Sequence, residues 1–108
     1  MTAPVSNKRL AFLEKAVVDK SGDPFAWYGL AVEYGNVGRH DDSLRTFTTL
    51  RGSHPDYVPM YLACGQMLQT AGRTAEAREW FEAGMAATTK AGNSHARATL
   101  ESALASLG

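Results

Sequence analysis

Apolar residues recur along most of this chain with helical spacing, three or four residues apart, and glycine, proline and aspartate interrupt the pattern. Trp27, Leu30, Ala31 and Tyr34 give the clearest example, because positions i, i+3, i+4 and i+7 lie on one face of a helix. No segment alternates apolar and polar residues as a half-buried strand would. The pattern predicts six helices, at about 7–20, 24 to 35–38, 40–51, 56–71, 75–90 and from 93 or 94 to 107.

Residues that favour helix ends support these limits. Ser6 is expected to cap the first helix, because a side-chain oxygen can accept a hydrogen bond from the free amides of the first turn. Asp23 is expected to cap the second helix, and Pro24 follows it where the missing N–H costs nothing. Asn93 or Ser94 is expected to cap the sixth helix.

The chain also matches itself at an offset of 34 residues. The matched pairs are Trp27 with Tyr61, Leu30 with Cys64, Ala31 with Gly65, Tyr34 with Leu68, Gly38 with Gly72, Arg39 with Arg73, Ser43 with Ala77 and Phe47 with Phe81. This period, with the pattern W-x2-L-small-x2-Y followed by a small residue, three others and Phe, resembles the tetratricopeptide repeat (TPR) family. The resemblance covers residues 24–91 as two full units, with half-units at both ends.

The resemblance implies that each unit is a helix–turn–helix that cannot bury its apolar face alone, so that neighbouring units stack. The implied fold is an all-α TPR array of about six antiparallel helices in a right-handed superhelix. Residues 1–108 would then form a single TPR domain with four parts. These are an N-terminal half-repeat helix at 7–21, a first repeat at 24–57, a second repeat at 58–91 and a C-terminal capping helix at 93–107.

Composition narrows the class of protein. Hydrophobic residues make up 44% of the 108 residues, which is enough to expect a folded, soluble domain. The 11 basic and 11 acidic residues cancel, and a neutral chain without a basic cluster is a poor candidate for binding nucleic acid or an anionic membrane. No signal peptide and no membrane-spanning apolar run is evident. The single cysteine fits a reducing compartment, so we expect a cytoplasmic protein.

Groups that could carry catalysis or bind a metal lie in unpromising contexts. His40, His54 and His95 lack the short spacing of metal ligands and are expected in turns or at helix starts. Cys64 replaces a core leucine and is expected to be a buried, unreactive thiol. The segment 84–90 ends in lysine but lacks the second glycine of a phosphate-binding loop. We therefore predict no catalytic residues, no metal site and no cofactor.

The aromatic residues admit two interpretations, a recognition box or a core. Packing is favoured for Trp27 and Tyr34, because they share one helix face with small and aliphatic residues, and for Phe47 and Phe81. The position of Trp80, next to Phe81, leaves partial exposure open. A nearby run of carboxylates is expected to be solvated surface: Glu76, Glu79 and Glu82.

A second apolar face is the strongest candidate for function. On the second predicted helix, Phe25, Tyr28 and Val32 lie on nearly the opposite side from the packing face. The resemblance implies that this face of the first helix of each repeat lines a concave groove that holds a partner peptide. The candidate partner-binding groove comprises Phe25, Tyr28, Val32, Asn36, Pro59, Leu62, Gln66 and Gln69. A foreign partner is the favoured occupant, with self-association and covering by the chain itself as alternatives.

One TPR subclass grips C-terminal carboxylates with Lys, Asn and Arg along this groove. Tyr28 and Val32 stand where that clamp has Lys and Asn, so an apolar or amphipathic partner segment fits better. We therefore predict a non-catalytic adaptor or scaffold module, monomeric rather than dimeric. The alternative is a structural homo-oligomer whose groove holds its own copy. An enzyme or small-ligand binder would need convergent polar groups in a deep pocket, which the sequence does not offer.

Overall fold

The computed structural model describes residues 7–107, and these form six α-helices with no strand among them. The helices are α1 (Asn7–Asp19), α2 (Pro24–Asn36), α3 (His40–Ser53), α4 (Pro59–Thr70), α5 (Thr74–Ala91) and α6 (Ser94–Ser106). Number and type agree with the prediction, whereas Ser6, the expected cap of α1, lies outside the described residues. The chain divides within α3 into two compact units, Met1–Leu50 and Arg51–Gly108. We call them the first and second units.

Two predicted caps form as expected, and one helix starts later than predicted. Asp23 accepts a hydrogen bond from the amide of Phe25 at 3.0 Å, and Asn93 accepts one from the amide of Ala96 at 3.0 Å. Helix α4 begins at Pro59 instead of near residue 56. The residues before it form a turn in which the amide of Tyr57 donates to the carbonyl of His54, and the proline favours a start at its own position.

The turns between the two helices of each repeat have the same geometry. Gly38 and Gly72 adopt φ angles of 82° and 79°, the left-handed region that ends many helices and that glycine enters without strain. In each turn the amide of the following arginine donates to the carbonyl five residues earlier, at 2.9 Å for Arg39 and 2.8 Å for Arg73. The sequence repeat is therefore also a repeat of hydrogen-bond geometry.

In each repeat, the aromatic residue at the first position of the motif donates a hydrogen bond to the loop that precedes the repeat. The indole of Trp27 donates to the carbonyl of Ser21 at 2.9 Å, and the hydroxyl of Tyr61 donates to the carbonyl of Pro55. Both bonds span six residues and satisfy the single polar atom of a ring packed against apolar neighbours. The burial of the two rings differs, because Tyr61 is 3% exposed whereas Trp27 is only half-buried.

One apolar cluster of the first unit lies between α1 and α2. The cluster consists of Leu10, Val17, Ala26, Leu30 and Tyr34, with Leu13 and Trp27 packed against it. Helix α3 is joined to α2 at a pair of small residues, where the hydroxyl of Ser43 donates to the carbonyl of Ala31 at 2.7 Å. Both residues are fully buried, and their small side chains allow the two helices to approach closely.

The second unit is packed around Phe81, which is fully buried. Its ring fills the space beside Gly65, where a β-carbon would overlap the ring. About one turn further along α5, a β-carbon on Gly84 would lie 2.6 Å from the β-carbon of Tyr61 and 3.0 Å from a methyl group of Leu100. Glycine is therefore required at both points, where α4 and then α6 pack against α5.

Candidate partner-binding site

The four predicted groove residues of the first unit share one face of α2 by their spacing, and none of them belongs to the α1–α2 cluster. Phe25 is 69% exposed and Asn36 is also exposed, whereas Tyr28 and Val32 are half-buried. This face therefore presents one large apolar side chain to solvent next to two that are partly covered. An exposed phenylalanine of this kind is a candidate anchor for a partner.

Tyr28 is held by the core of the first unit. Its ring makes an edge contact with Phe47, with centroids 6.4 Å apart and planes at 68°, and Phe47 is 1% exposed. Edge-to-face pairs of this geometry are favourable in addition to the area that they bury. Tyr28 therefore serves packing as well as any partner, and Phe25 is the better residue with which to test binding alone.

Asn36 is engaged by its own helix. Its side-chain amide donates to Glu33 at 3.5 Å, and Arg9 from α1 donates to the same carboxylate oxygen at 3.1 Å. Glu33 is 6% exposed, so its charge depends on these donors for compensation. Nothing in the local sequence pattern distinguishes Glu33 from a solvated glutamate, so its burial could not be predicted.

The predicted groove residues of the second unit lie on α4 and are more polar. Pro59, Gln66 and Gln69 are exposed, and Leu62 is half-buried. The opposite face of α4 carries the buried Tyr61, Cys64 and Leu68. Each unit thus places its predicted residues on one outward face, apolar on α2 and mixed on α4. Their joint use by one partner stays a prediction.

A cluster around Arg51 in the second unit was not predicted. Its guanidinium donates two hydrogen bonds of 3.1 Å to Glu79, a bidentate pair. The same group lies 4.7 Å from the ring centre of Trp80 and 5.6 Å from that of Tyr61. Trp80 is 5% exposed, so it belongs to the core and is not partly exposed on the surface. Glu79, although 57% exposed, is a structural partner and not simply solvated surface.

The chemistry of the remaining candidates is unreactive. Cys64 is fully buried, and this burial raises the pKa of its thiol far above the ordinary value, so the thiol stays protonated and is a poor nucleophile. Within residues 7–107, no three His, Cys, Asp or Glu side chains cluster as metal ligands would. No helix of this described part is both long and apolar enough to cross a membrane.

Solved structures that are similar to this chain include two solution structures of bacterial proteins. One is the solution NMR structure of a tetratricopeptide repeat domain protein from Salinibacter ruber, with a TM-score of 0.73 and 27% identity over 79% of this chain and 86% of that chain. The other is a solution structure of a protein from Bordetella parapertussis, with a TM-score of 0.77 and 23% identity over 99% of this chain and 89% of that chain. No protein-family model matches the chain, and no curated protein matches it at a significant level. The predicted resemblance to the TPR family and the all-α fold class are confirmed.

Proposed function

Because the chain has a tetratricopeptide-repeat fold, we propose that it is a non-catalytic protein-interaction module, an adaptor that binds a segment of a partner protein. The proposed binding surfaces are, unit by unit, the face of α2 that carries Phe25 in the first unit and the face of α4 that carries Leu62 in the second. We also propose that the unbound protein is monomeric and that it acts in the cytoplasm. Fold alone does not assign a task, so the proposal depends on the properties of these faces.

The exposure of Phe25 is the observation that carries this proposal. A phenylalanine that is 69% exposed gains most of its burial energy only when another molecule covers it. The half-buried Val32 and Tyr28 extend the apolar area next to it. Aromatic anchors surrounded by partly covered contacts are typical of the few residues that dominate binding energy at interfaces.

The same residues define the chemistry of the partner segment. Tyr28, Val32 and Leu62 supply apolar contacts and no charge, so a carboxylate clamp is not the mode of binding. An apolar or amphipathic segment suits these faces, with the exposed amides of Gln66 and Gln69 available to its polar groups. The neutral net charge argues against nucleic acid as the partner.

Phe25→Ala is expected to weaken partner binding by about 2 kcal/mol, or roughly 30-fold in Kd, while leaving the fold intact. The probe would be peptides selected from a random phage-displayed library on the immobilised wild-type protein, with Kd measured by fluorescence anisotropy. Phe12→Ala is the matched control, since Phe12 is 70% exposed on α1 and lies outside the predicted site. Thermal melts of both variants should match that of wild type.

A second pair of variants, one test and one control, examines the α4 face. Leu62→Ala should weaken the same peptides, whereas Leu107→Ala, which changes a half-buried leucine at the end of α6, should not. Peptides that bind the Phe25 and Phe12 variants equally well would place the working surface elsewhere. Sedimentation of the wild-type protein over a dilution series would show dimers at micromolar concentration if a second copy were the occupant.

A further inference from the structure

The second unit contains a cleft that shares no residue with the predicted partner-binding site. Its volume is about 870 Å³, within the range of roughly 300–1,000 Å³ typical of ligand sites. It is lined by Arg51, Pro55, Asp56, Tyr61, Ala83, Ala86, Ala87, Lys90 and Ala91. The cleft thus lies between the loop that precedes α4 and the C-terminal half of α5.

The lining is mostly apolar and its side chains on α5 are small. Four alanines of α5 and Tyr61 contribute to this lining, and the hydroxyl of Tyr61 donates to the carbonyl of Pro55. Alanine leaves room for another chain to approach the helix closely, and it offers no hydrogen-bonding group. This part of the cleft therefore suits an apolar side chain of a partner.

The charges of the lining decide what must flank that apolar side chain. Arg51 is already neutralised by its bidentate pair with Glu79. Among residues 7–107, by contrast, neither Lys90 nor Asp56 makes an ion pair, and both are exposed. The lining of the cleft thus includes one exposed cation and one exposed anion that make no ion pair within the described residues.

We propose that this cleft is a second docking site, for a partner protein segment that presents an apolar side chain between an acidic and a basic residue. The acidic residue pairs with Lys90, the basic residue pairs with Asp56, and the apolar side chain is buried against the alanines of α5 and the ring of Tyr61. The two charges fix the direction in which the segment lies, since reversing the segment would place like charges together.

A counter-selected peptide library tests this site separately from the one on α2 and α4. Random 12-residue peptides displayed on phage would be retained on the wild-type protein and depleted on Ala86→Trp, which fills the cleft from an exposed position. Ala75→Trp is the matched control, because Ala75 is also exposed on α5 but lies outside the cleft. Melting curves establish that the variants are folded.

We expect the surviving peptides to carry the acidic–apolar–basic pattern and to bind Ala75→Trp and Phe25→Ala as well as they bind wild type. Lys90→Glu and Asp56→Lys should each raise Kd about fivefold, the effect of one rim ion pair, and exchanging the two charges of the peptide should restore binding to the double variant. An empty selection, peptides without the pattern, or unchanged binding to the charge variants would each overturn the proposal. None of these results bears on the Phe25 site.

Discussion

Phe81→Ala should lower the free energy of unfolding by about 3–5 kcal/mol, the usual cost of removing a fully buried aromatic ring. Phe81 has no exposed surface, and its ring occupies the space beside Gly65. Glycine has no side chain that could move into the cavity, so the cost should fall in the upper part of that range. For a small domain with a total stability of about 5–15 kcal/mol, this loss would leave a measurable unfolded population.

Urea unfolding followed by circular dichroism would measure the change. Phe12→Ala removes the same atoms from a side chain that is 70% exposed, and should change stability by less than about 0.5 kcal/mol. Trp27→Ala should fall between the two, because Trp27 is half-buried and also loses its bond to Ser21. Equal midpoints for the Phe81 and Phe12 variants would show that the second unit is not packed around Phe81.

Truncation after Gly92 should cause partial unfolding or aggregation, because it uncovers the face of α5 on which α6 packs. Leu100, the buried residue of α6, is 1% exposed and lies against the backbone of Gly84. Removing α6 exposes the apolar surface of α5 on which Leu100 packs, as happens when a repeat array loses its terminal helix. Size-exclusion chromatography and loss of helical signal would measure the effect.

A pair of point substitutions separates the packing of α6 from its mere presence. Leu100→Asp should destabilise the protein strongly, because it buries a carboxylate without a partner. Ala105→Asp places the same group on an exposed position of the same helix and should have little effect. A truncated chain that stays monomeric and keeps the helicity of its remaining residues would show that α6 is dispensable for the fold.

Most of the fold could be predicted because it depends on local signals that repeat. The period of 34 residues, the helical spacing of apolar positions and the glycines of the turns each occur within a short stretch of sequence. Gly38 and Gly72 form equivalent turns because only glycine enters the left-handed region there without strain. The start of α4 was less well predicted, because proline at the first turn and aspartate before it indicate different limits.

For the candidate site, the sequence predicted which residues share a helix face, but not how far each side chain is buried. Helical spacing places Phe25, Tyr28 and Val32 on one side of α2, but it carries no information about how much of each side chain the rest of the unit covers. The edge contact with Phe47 makes Tyr28 part of the core, and the bond to Glu33 engages Asn36. Helical spacing does not show which side chains make these contacts. Only the structure therefore identifies Phe25 as the main candidate anchor.

The sequence by itself determined the repeat, the helices and the turns, because each follows from the backbone preferences and spacing of nearby residues. Only the tertiary structure decided the pairing of Arg51 with Glu79, the burial of Trp80 beneath that pair and the cleft next to Lys90. Arg51 and Glu79 are 28 residues apart, so the period of 34 residues does not predict that they meet. Their pairing depends on which helices pack together and at what distance, and no local pattern of residues encodes that.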